Sequence, residues 1–137
     1  MYSEVWPPDA PLEKIRERAP AGVILSGGPK SVSEPGAPTC DAGVYELGHP
    51  VLGICYGMQL MAHDLGGSVA PAPQREYGHA TVRLSAPSAL LADVPPEIRV
   101  WASHGDFVSA APQFGPPSVA SSTNRSPFKS LPAPVVK

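Results

Sequence analysis

The sequence has few cysteines, no long apolar run and no excess of basic residues, and each absence excludes a class of protein. Two cysteines among 137 residues do not make a disulfide framework, which favours a reducing, cytoplasmic location. No apolar run approaches the length of a membrane span, about 18 residues, and the charged residues among the first twenty argue against a secretory signal. Ten basic and twelve acidic residues favour neither a nucleic acid nor a membrane as partner.

Proline and glycine are abundant, with 19 and 13 copies, yet 42% hydrophobic content is enough to bury the core of one domain. Between residues 21 and 69 these residues separate a clear pattern of strands and helices. After residue 111 the prolines leave little room for regular structure, because proline removes a backbone donor and restricts the residue before it. We expect an irregular tail from Ser126 onwards.

The middle of the chain is predicted to alternate strands with helices. Two continuous apolar runs are typical of strands buried on both faces, at residues 21–26 and 50–54. Further short strands are indicated at residues 2–5, 81–84 and 98–101. Helices are indicated at residues 11–18, 40–47 and 55–65. This order predicts an α/β sheet with helices on its faces.

Three details of these helices follow from single residues. Asp9 is a plausible N-cap for the first helix. Gly66 suits the left-handed position that ends the third helix. The apolar face of that third helix is predicted to consist of Met58, Met61, Ala62 and Leu65.

The strongest chemical signal is Gly53-Ile54-Cys55-Tyr56-Gly57, between a predicted strand and a predicted helix. It is the thiol form of a nucleophile elbow, a sharp turn that holds the nucleophile in a strained conformation between two closely packed glycines. The N-terminus of the helix supplies partial positive charge and unpaired N–H groups, which stabilise a thiolate. The alternative is that Cys55 is only a small buried residue beside two glycines. The order of strand, turn and helix favours the nucleophile.

A nucleophile that attacks a carbonyl needs N–H donors for the oxyanion that forms. The N–H of Tyr56, the residue after Cys55, is the first candidate. A second donor is expected from Gly27-Gly28, because glycine lets the backbone approach a substrate closely. Gln59 lies four residues after Cys55 on the same helical face, where its amide can meet a polar ligand.

The general base of such a site is usually a histidine oriented by a carboxylate. His49 and His63 are interpreted as surface or packing residues. His79 and His104 sit at loop or strand ends and can line a pocket, but neither has the carboxylate spacing of an oriented base. Cys40 is interpreted as structural, and no set of ligands has the spacing of a metal site.

Together these motifs resemble the class I glutamine amidotransferase family, and within it the GMP synthase (glutamine-hydrolysing) group. The resemblance is carried by Ser26-Gly27-Gly28-Pro29 and by Gly53–Gly57, and it extends through Arg75-Glu76-Tyr77-Gly78 and Trp101-x-Ser103-His104-Gly105-Asp106. It implies a flavodoxin-like α/β sheet with flanking helices, incomplete because the family's first strand and a His-Pro-Glu segment are missing. We therefore expect a partial amidotransferase domain over residues 1–125 and a divergent tail over 126–137.

The resemblance implies a mechanism in which Cys55 attacks the side-chain amide of L-glutamine, giving a γ-glutamyl thioester and ammonia, and water then releases glutamate. It assigns the oxyanion hole to the backbone of Gly28 and Tyr56. The residues that it places near the substrate are Gly57, Gln59, His104, Gly105 and Asp106. Ammonia would pass to an ATP-dependent domain that converts XMP to GMP. ATP and magnesium belong to that domain, so no cofactor is expected in this one.

The sequence departs from the family where the catalytic base would stand. The family's histidine and its orienting glutamate come from the His-Pro-Glu segment, and here the chain diverges after Ser126-Pro127-Phe128. This chain alone is therefore expected to have little glutaminase activity. Two alternatives remain: a non-catalytic fragment that binds glutamine or a synthetase partner, and another class I amidotransferase or a cysteine protein of the DJ-1/PfpI type. Gln59 and Ser26–Pro29 suit an amide substrate and disfavour the DJ-1/PfpI type.

Overall fold

The computed structural model describes residues 2–84 and 91–112, and of residues 73–77 and 102–104 only the backbone. The tail predicted from Ser126 onwards lies outside these residues. The regular elements of the described part are α1 (Leu12–Arg18), β1 (Val23–Leu25), a 3-10 helix (Ala42–Glu46), β2 (Val51–Gly53), α2 (Tyr56–Asp64), β3 (Ser68–Arg83) and β4 (Glu97–Ala110). None of the helices in this part is both long and apolar enough to cross a bilayer.

β1 and β2 form a parallel pair in which Val23 lies opposite Val51 and Leu25 opposite Gly53. The prediction that both strands are buried on both faces is wrong, since Ile24 is 63% exposed. Side chains alternate along a strand, and α2 covers only the face that carries Leu25, which lies against Gly57. Ile24 points to the opposite face, which α2 does not cover, and it is therefore exposed although it is apolar.

The first residues of the chain differ from their prediction. Residues 2–5 have no regular structure, and no strand forms there. α1 begins at Leu12 with Pro11 in the N-cap position and without a side-chain cap, so the predicted cap by Asp9 is wrong. The physical reason is a turn in which Ala10 N–H donates to Pro7 O, which places Asp9 before the helix rather than at its first N–H groups.

The helix predicted at residues 40–47 is a 3-10 helix, which begins where the Asp41 carboxylate accepts the Gly43 N–H at 2.8 Å. It contributes Val44 to the core, the most deeply buried side chain of the described residues. The hydroxyl of its Tyr45 donates to Asp64 at the end of α2, at 3.0 Å, and accepts from the Cys40 thiol. Burial raises the pKa of that thiol. Cys40 thus lies in a hydrogen-bonded network with Tyr45 and Asp64, and its structural role stays a prediction.

The strands predicted at residues 81–84 and 98–101 are short sections of a long antiparallel hairpin. β3 and β4 pair from Ser68 opposite Ala110 to Arg83 opposite Glu97. The register shifts between Pro71 and Glu76, where Pro73 also lies. Proline lacks the N–H that a strand donates to its neighbour, and it is accommodated at such irregularities. The hairpin therefore continues through a proline-containing segment where the sequence pattern indicates the end of a strand.

α2 lies between the parallel pair and the hairpin and contacts both. Its predicted apolar face is largely wrong, because only Ala62 of that set is fully buried. Met58, Met61 and Leu65 are half-buried instead. A helix with neighbours on several sides buries more than one stripe, and the fully buried residues of α2 are Tyr56, Gly57, Gln59, Leu60 and Ala62. Gly66 follows the helix with φ 86°, the left-handed conformation predicted for it.

Candidate active site

Cys55 lies in the turn between β2 and α2, in a backbone conformation that few residues other than glycine adopt. Its φ is 53° and its ψ is −114°. A side chain in such a sparsely populated region costs about 1–3 kcal/mol and persists only where the surroundings enforce it. The strained strand-to-helix turn predicted from the sequence is confirmed.

The glycines on either side of Cys55 provide space rather than special dihedral angles. Neither has a positive φ. A Cβ on Gly53 would lie 2.6 Å from Met58 Cα, and a Cβ on Gly57 would overlap the carbonyl group of Leu25. Any side chain would therefore push α2 away from the end of β2 or from β1. The close packing predicted for this glycine pair is confirmed.

The loop that follows β1 lies directly against the elbow. Gly57 N–H donates to Ser26 O at 3.1 Å, which fixes the start of the loop. A Cβ on Gly27 would lie 3.2 Å from Cys55 Cβ and 3.8 Å from its Sγ. Because residue 27 is a glycine, its backbone can lie beside the Cys55 thiol, where a side chain would be too close.

Gly28 and Tyr56, the two candidate oxyanion donors, lie next to each other. A Cβ on Gly28 would be 3.7 Å from both Cβ and Cγ of Tyr56. Among the backbone hydrogen bonds of the described residues, none is donated by the N–H of Gly28 or of Tyr56. The structure thus brings Cys55, Gly28 and Tyr56 into one place, and the roles of the two N–H groups stay predictions.

Gln59 connects the elbow helix to the hairpin. Its side chain is only 3% exposed, and its Nε2 donates to the carbonyl of Asp106 on β4 at 3.0 Å. The amide therefore lies beside the backbone of Asp106, which belongs to the segment that the resemblance places near the substrate. The contact with substrate predicted for these residues stays a prediction. The side chain of His104 lies outside the described residues.

The Tyr56 side chain makes a contact that the sequence does not indicate. Its ring is buried, and its hydroxyl donates to the carbonyl of Pro38 at 2.5 Å. Burial raises the pKa of this hydroxyl, and the negative charges of Asp64 and Glu34 raise it further. Both effects favour the protonated hydroxyl, the form that donates this bond. The sequence signals this role only through the tyrosine at the position after the nucleophile, because that position of a nucleophile elbow accepts many residue types.

The histidines whose side chains the structure describes make no hydrogen bond to Cys55. His63 Nδ1 lies 3.3 Å from Asp64 Oδ1 at the end of α2. The His79 ring packs edge-on against Trp101, with centroids 5.3 Å apart. The absence of a histidine base and its glutamate from this chain stays a prediction. Within the same described side chains, no three of His, Cys, Asp and Glu are grouped to hold a metal ion.

Comparison with known proteins places these features in a family. The profile of the family "Glutamine amidotransferase class-I" matches residues 1–129. The GMP synthase [glutamine-hydrolyzing] of Lactobacillus gasseri is 51% identical over 114 residues, 82% of this chain and 22% of its own length. That of Desulfotalea psychrophila is 49% identical over 134 residues, 96% of this chain and 25% of its own length. This chain thus spans about a quarter of the length of these relatives.

Solved structures support the same assignment. A glutamine amidotransferase from Thermotoga maritima superposes with a TM-score of 0.56 and 26% identity, covering 74% of this chain and 45% of its own. The predicted fold class, an α/β sheet of the class I amidotransferase type, is confirmed.

Proposed function

The chain belongs to the class I glutamine amidotransferase family, and from that premise we propose that it carries the nucleophile of a glutaminase site. In this reaction Cys55 Sγ attacks the side-chain amide carbon of L-glutamine. The amide nitrogen takes up the proton that the Cys55 thiol gives up and leaves as ammonia, and water hydrolyses the γ-glutamyl thioester to glutamate and restores the thiol. The observation that carries the proposal is the strained φ of 53° at Cys55, at the N-terminus of α2.

The oxyanion of the tetrahedral intermediate is proposed to bind between two backbone N–H groups. These are the N–H groups of Gly28 and Tyr56, which belong to neighbouring segments and donate to no carbonyl of the described backbone. Donors held in place before the reaction stabilise developing negative charge without reorganisation. The close approach of Gly27 to Cys55 brings the segment that carries one of these donors beside the thiol.

The substrate's α-amino and carboxylate groups are proposed to lie near Gly57, Gln59 and the His104-Gly105-Asp106 segment. The hydrogen bond from Gln59 to Asp106 O supports this, because it holds α2 and β4 together beside the elbow. A protonated substrate amine needs an acceptor, and the acceptor of the Gln59 amide is its Oε1, because Nε2 only donates.

The wider reaction is proposed from the relatives that are named GMP synthase [glutamine-hydrolyzing]. Ammonia from this site would pass to an ATP-pyrophosphatase domain or subunit that converts XMP to GMP in the cytoplasm. ATP and magnesium would bind in that domain, and the glutaminase step would use no cofactor. The domain limits at residues 1–125 and 126–137 stay predictions.

A chloroketone analogue of L-glutamine is expected to alkylate Cys55 in preference to Cys40. The ketone occupies the place of the amide, Sγ displaces chloride, and orientation in the site accelerates the reaction at least about ten-fold over an unoriented thiol. Cys40 is the internal control, since it is half-buried and lies in the structural network with Tyr45. Both cysteines lie on the tryptic peptide 31–75, and tandem mass spectrometry of that peptide locates the modification on Cys55 or Cys40.

Millimolar L-glutamine is expected to slow the alkylation of Cys55, and D-glutamine is not. Cys55→Ser is expected to remove the modification, whereas Cys40→Ser is expected to retain it. Equal labelling of the two thiols, or labelling that L-glutamine does not slow, would contradict the proposed function.

Glutamate release by this chain alone is expected to stay near the background rate. A nucleophile without its base loses several orders of magnitude in rate, and no described histidine side chain is hydrogen-bonded to Cys55. A coupled glutamate dehydrogenase assay measures the release, with Cys55→Ala as the background. Release that depends on Cys55 would contradict this expectation, and His79→Ala and His104→Ala would then identify the base.

A further inference from the structure

We propose that the Tyr56 side chain is a positioning group for the oxyanion site, because it holds the segment 26–38 (the glycine loop) at its far end. The inference rests on the proposed function and deepens it. The N–H of Tyr56 is already a candidate donor. The new element is the role of its ring and hydroxyl, which act on the other donor, Gly28.

The glycine loop is anchored to the elbow at two points. At its start, Ser26 O accepts the N–H of Gly57 at 3.1 Å. At its end, Pro38 O accepts the hydroxyl of Tyr56 at 2.5 Å. Both anchors come from the first two residues of α2, so the loop is fixed to the same helical turn that carries the nucleophile.

Gly28 lies between these anchors, against the Tyr56 ring. A Cβ added to Gly28 would be in van der Waals contact with Cγ of that ring and with Cβ of Tyr56, both at 3.7 Å. The ring therefore limits how far Gly28 can move towards α2, and the hydroxyl prevents the far end of the loop from lifting. Together they fix the distance between the Gly28 N–H and Cys55.

The rest of the glycine loop closes on itself and does not replace the second anchor. Its internal hydrogen bonds run from Glu34 N–H to Ser31 O and from Ala37 N–H to Glu34 O, both 3.1 Å, from Ser33 N–H to Ser31 Oγ at 3.3 Å, and from Lys30 Nζ to Gly36 O at 3.1 Å. These bonds shape the loop but join it to no other element. Among the hydrogen bonds of the described residues, loss of the Tyr56 hydroxyl thus leaves Ser26 as the loop's bond to α2, while the chain just beyond the loop is still held through Cys40 and Tyr45.

The test compares two reagents on Cys55. The chloroketone analogue of L-glutamine places a carbonyl oxygen at the oxyanion site, whereas methyl methanethiosulfonate has no carbonyl and reports only the access and reactivity of the thiol. Tyr56→Phe keeps the ring and removes the hydroxyl. We expect the chloroketone rate constant to fall about ten-fold through displacement of one donor, while the methanethiosulfonate rate constant changes less than about two-fold.

Tyr45→Phe is the matched control. It also removes one hydroxyl from a buried tyrosine, at Asp64, the opposite end of α2 from Cys55, and it frees the Cys40 thiol two residues after Pro38 while leaving the bond from Tyr56 to Pro38 in place. It is expected to leave the ratio of the two rate constants at the wild-type value. Circular dichroism checks that each variant is folded.

A second variant keeps every side chain and covers the case in which Tyr56→Phe does not fold. An ester in place of the peptide bond between Pro38 and Thr39 weakens the carbonyl that accepts the Tyr56 hydroxyl. It is expected to lower the same ratio in the same direction.

The outcomes distinguish the positioning role of Tyr56 from the proposed glutaminase function. A fall in the ratio for Tyr56→Phe or for the ester, with Tyr45→Phe unchanged, supports the positioning role. An unchanged ratio, or equal falls with both reagents, overturns it and leaves the proposed function standing. If the wild type shows no preference of the chloroketone for Cys55 over Cys40, the proposed function fails, and this inference fails with it.

Discussion

Replacing Gly57 with alanine is expected to lower the free energy of unfolding by about 2 kcal/mol. The new Cβ would overlap the Leu25 carbonyl, and overpacking of this kind costs about 3 kcal/mol. Leu25 cannot retreat easily, because its carbonyl accepts the Ile54 N–H at 2.9 Å within the parallel pair. Alanine is the better helix former by about 1 kcal/mol, so propensity offsets only part of the cost. Urea denaturation followed by circular dichroism measures the difference.

Gly28→Ala is the matched control for this change. Gly28 has no positive φ, and the nearest atoms to its added Cβ are at 3.7 Å. The same substitution is therefore expected to change stability by less than about 1 kcal/mol. An unfolding free energy of Gly57→Ala equal to or above that of the wild type would show that helix propensity outweighs the packing between α2 and β1.

Replacing Gln59 with methionine is expected to cost about 2 kcal/mol of stability, within the range for an unpaired buried polar group. Methionine keeps the length and apolar bulk of the side chain but cannot donate to the carbonyl of Asp106. Among the described side chains of α2, that of Gln59 is the one hydrogen-bonded to β4. The loss is measured by urea denaturation, and amide exchange of residues 104–108 is expected to quicken with it.

Met58→Leu serves as the comparison for Gln59→Met. Met58 is the preceding residue of α2, is half-buried, and is exchanged for a side chain of similar volume, which costs less than about 1.5 kcal/mol. If Gln59→Met unfolds at the same urea concentration as Met58→Leu and the wild type, the bond to Asp106 contributes nothing to stability.

The elbow is predictable from the sequence because its chemistry is local. Five consecutive residues, Gly53–Gly57, carry the spacing that a strained strand-to-helix turn needs, and the flanking apolar pattern marks the strand and the helix. The contacts that complete the site are not local. Tyr56 reaches Pro38 across 18 residues and Gln59 reaches Asp106 across 47, and no periodicity encodes such distances.

The errors of the sequence predictions arise where tertiary contacts override local patterns. Pro71 and Pro73 interrupt the alternation of β3, yet the hairpin accommodates them at a shift of register. The apolar character of Ile24 predicts burial, but α2 covers only the other face of β1. The face of α2 marked by Met58 and Met61 is only half-buried, because the helix has neighbours on several sides.

The strained backbone of Cys55 ties the chemistry of the thiol to the cooperativity of folding. A φ of 53° is kept only while the Gly57 contacts with Leu25 and Ser26 press α2 onto β1. Any local opening that separates these elements releases about 1–3 kcal/mol of strain at once, and Cys55 relaxes to an ordinary extended conformation. In partly opened molecules, Cys55 is therefore an ordinary surface thiol without a fixed orientation. The fraction of chains with an oriented nucleophile equals the fraction in which this helix and strand are docked.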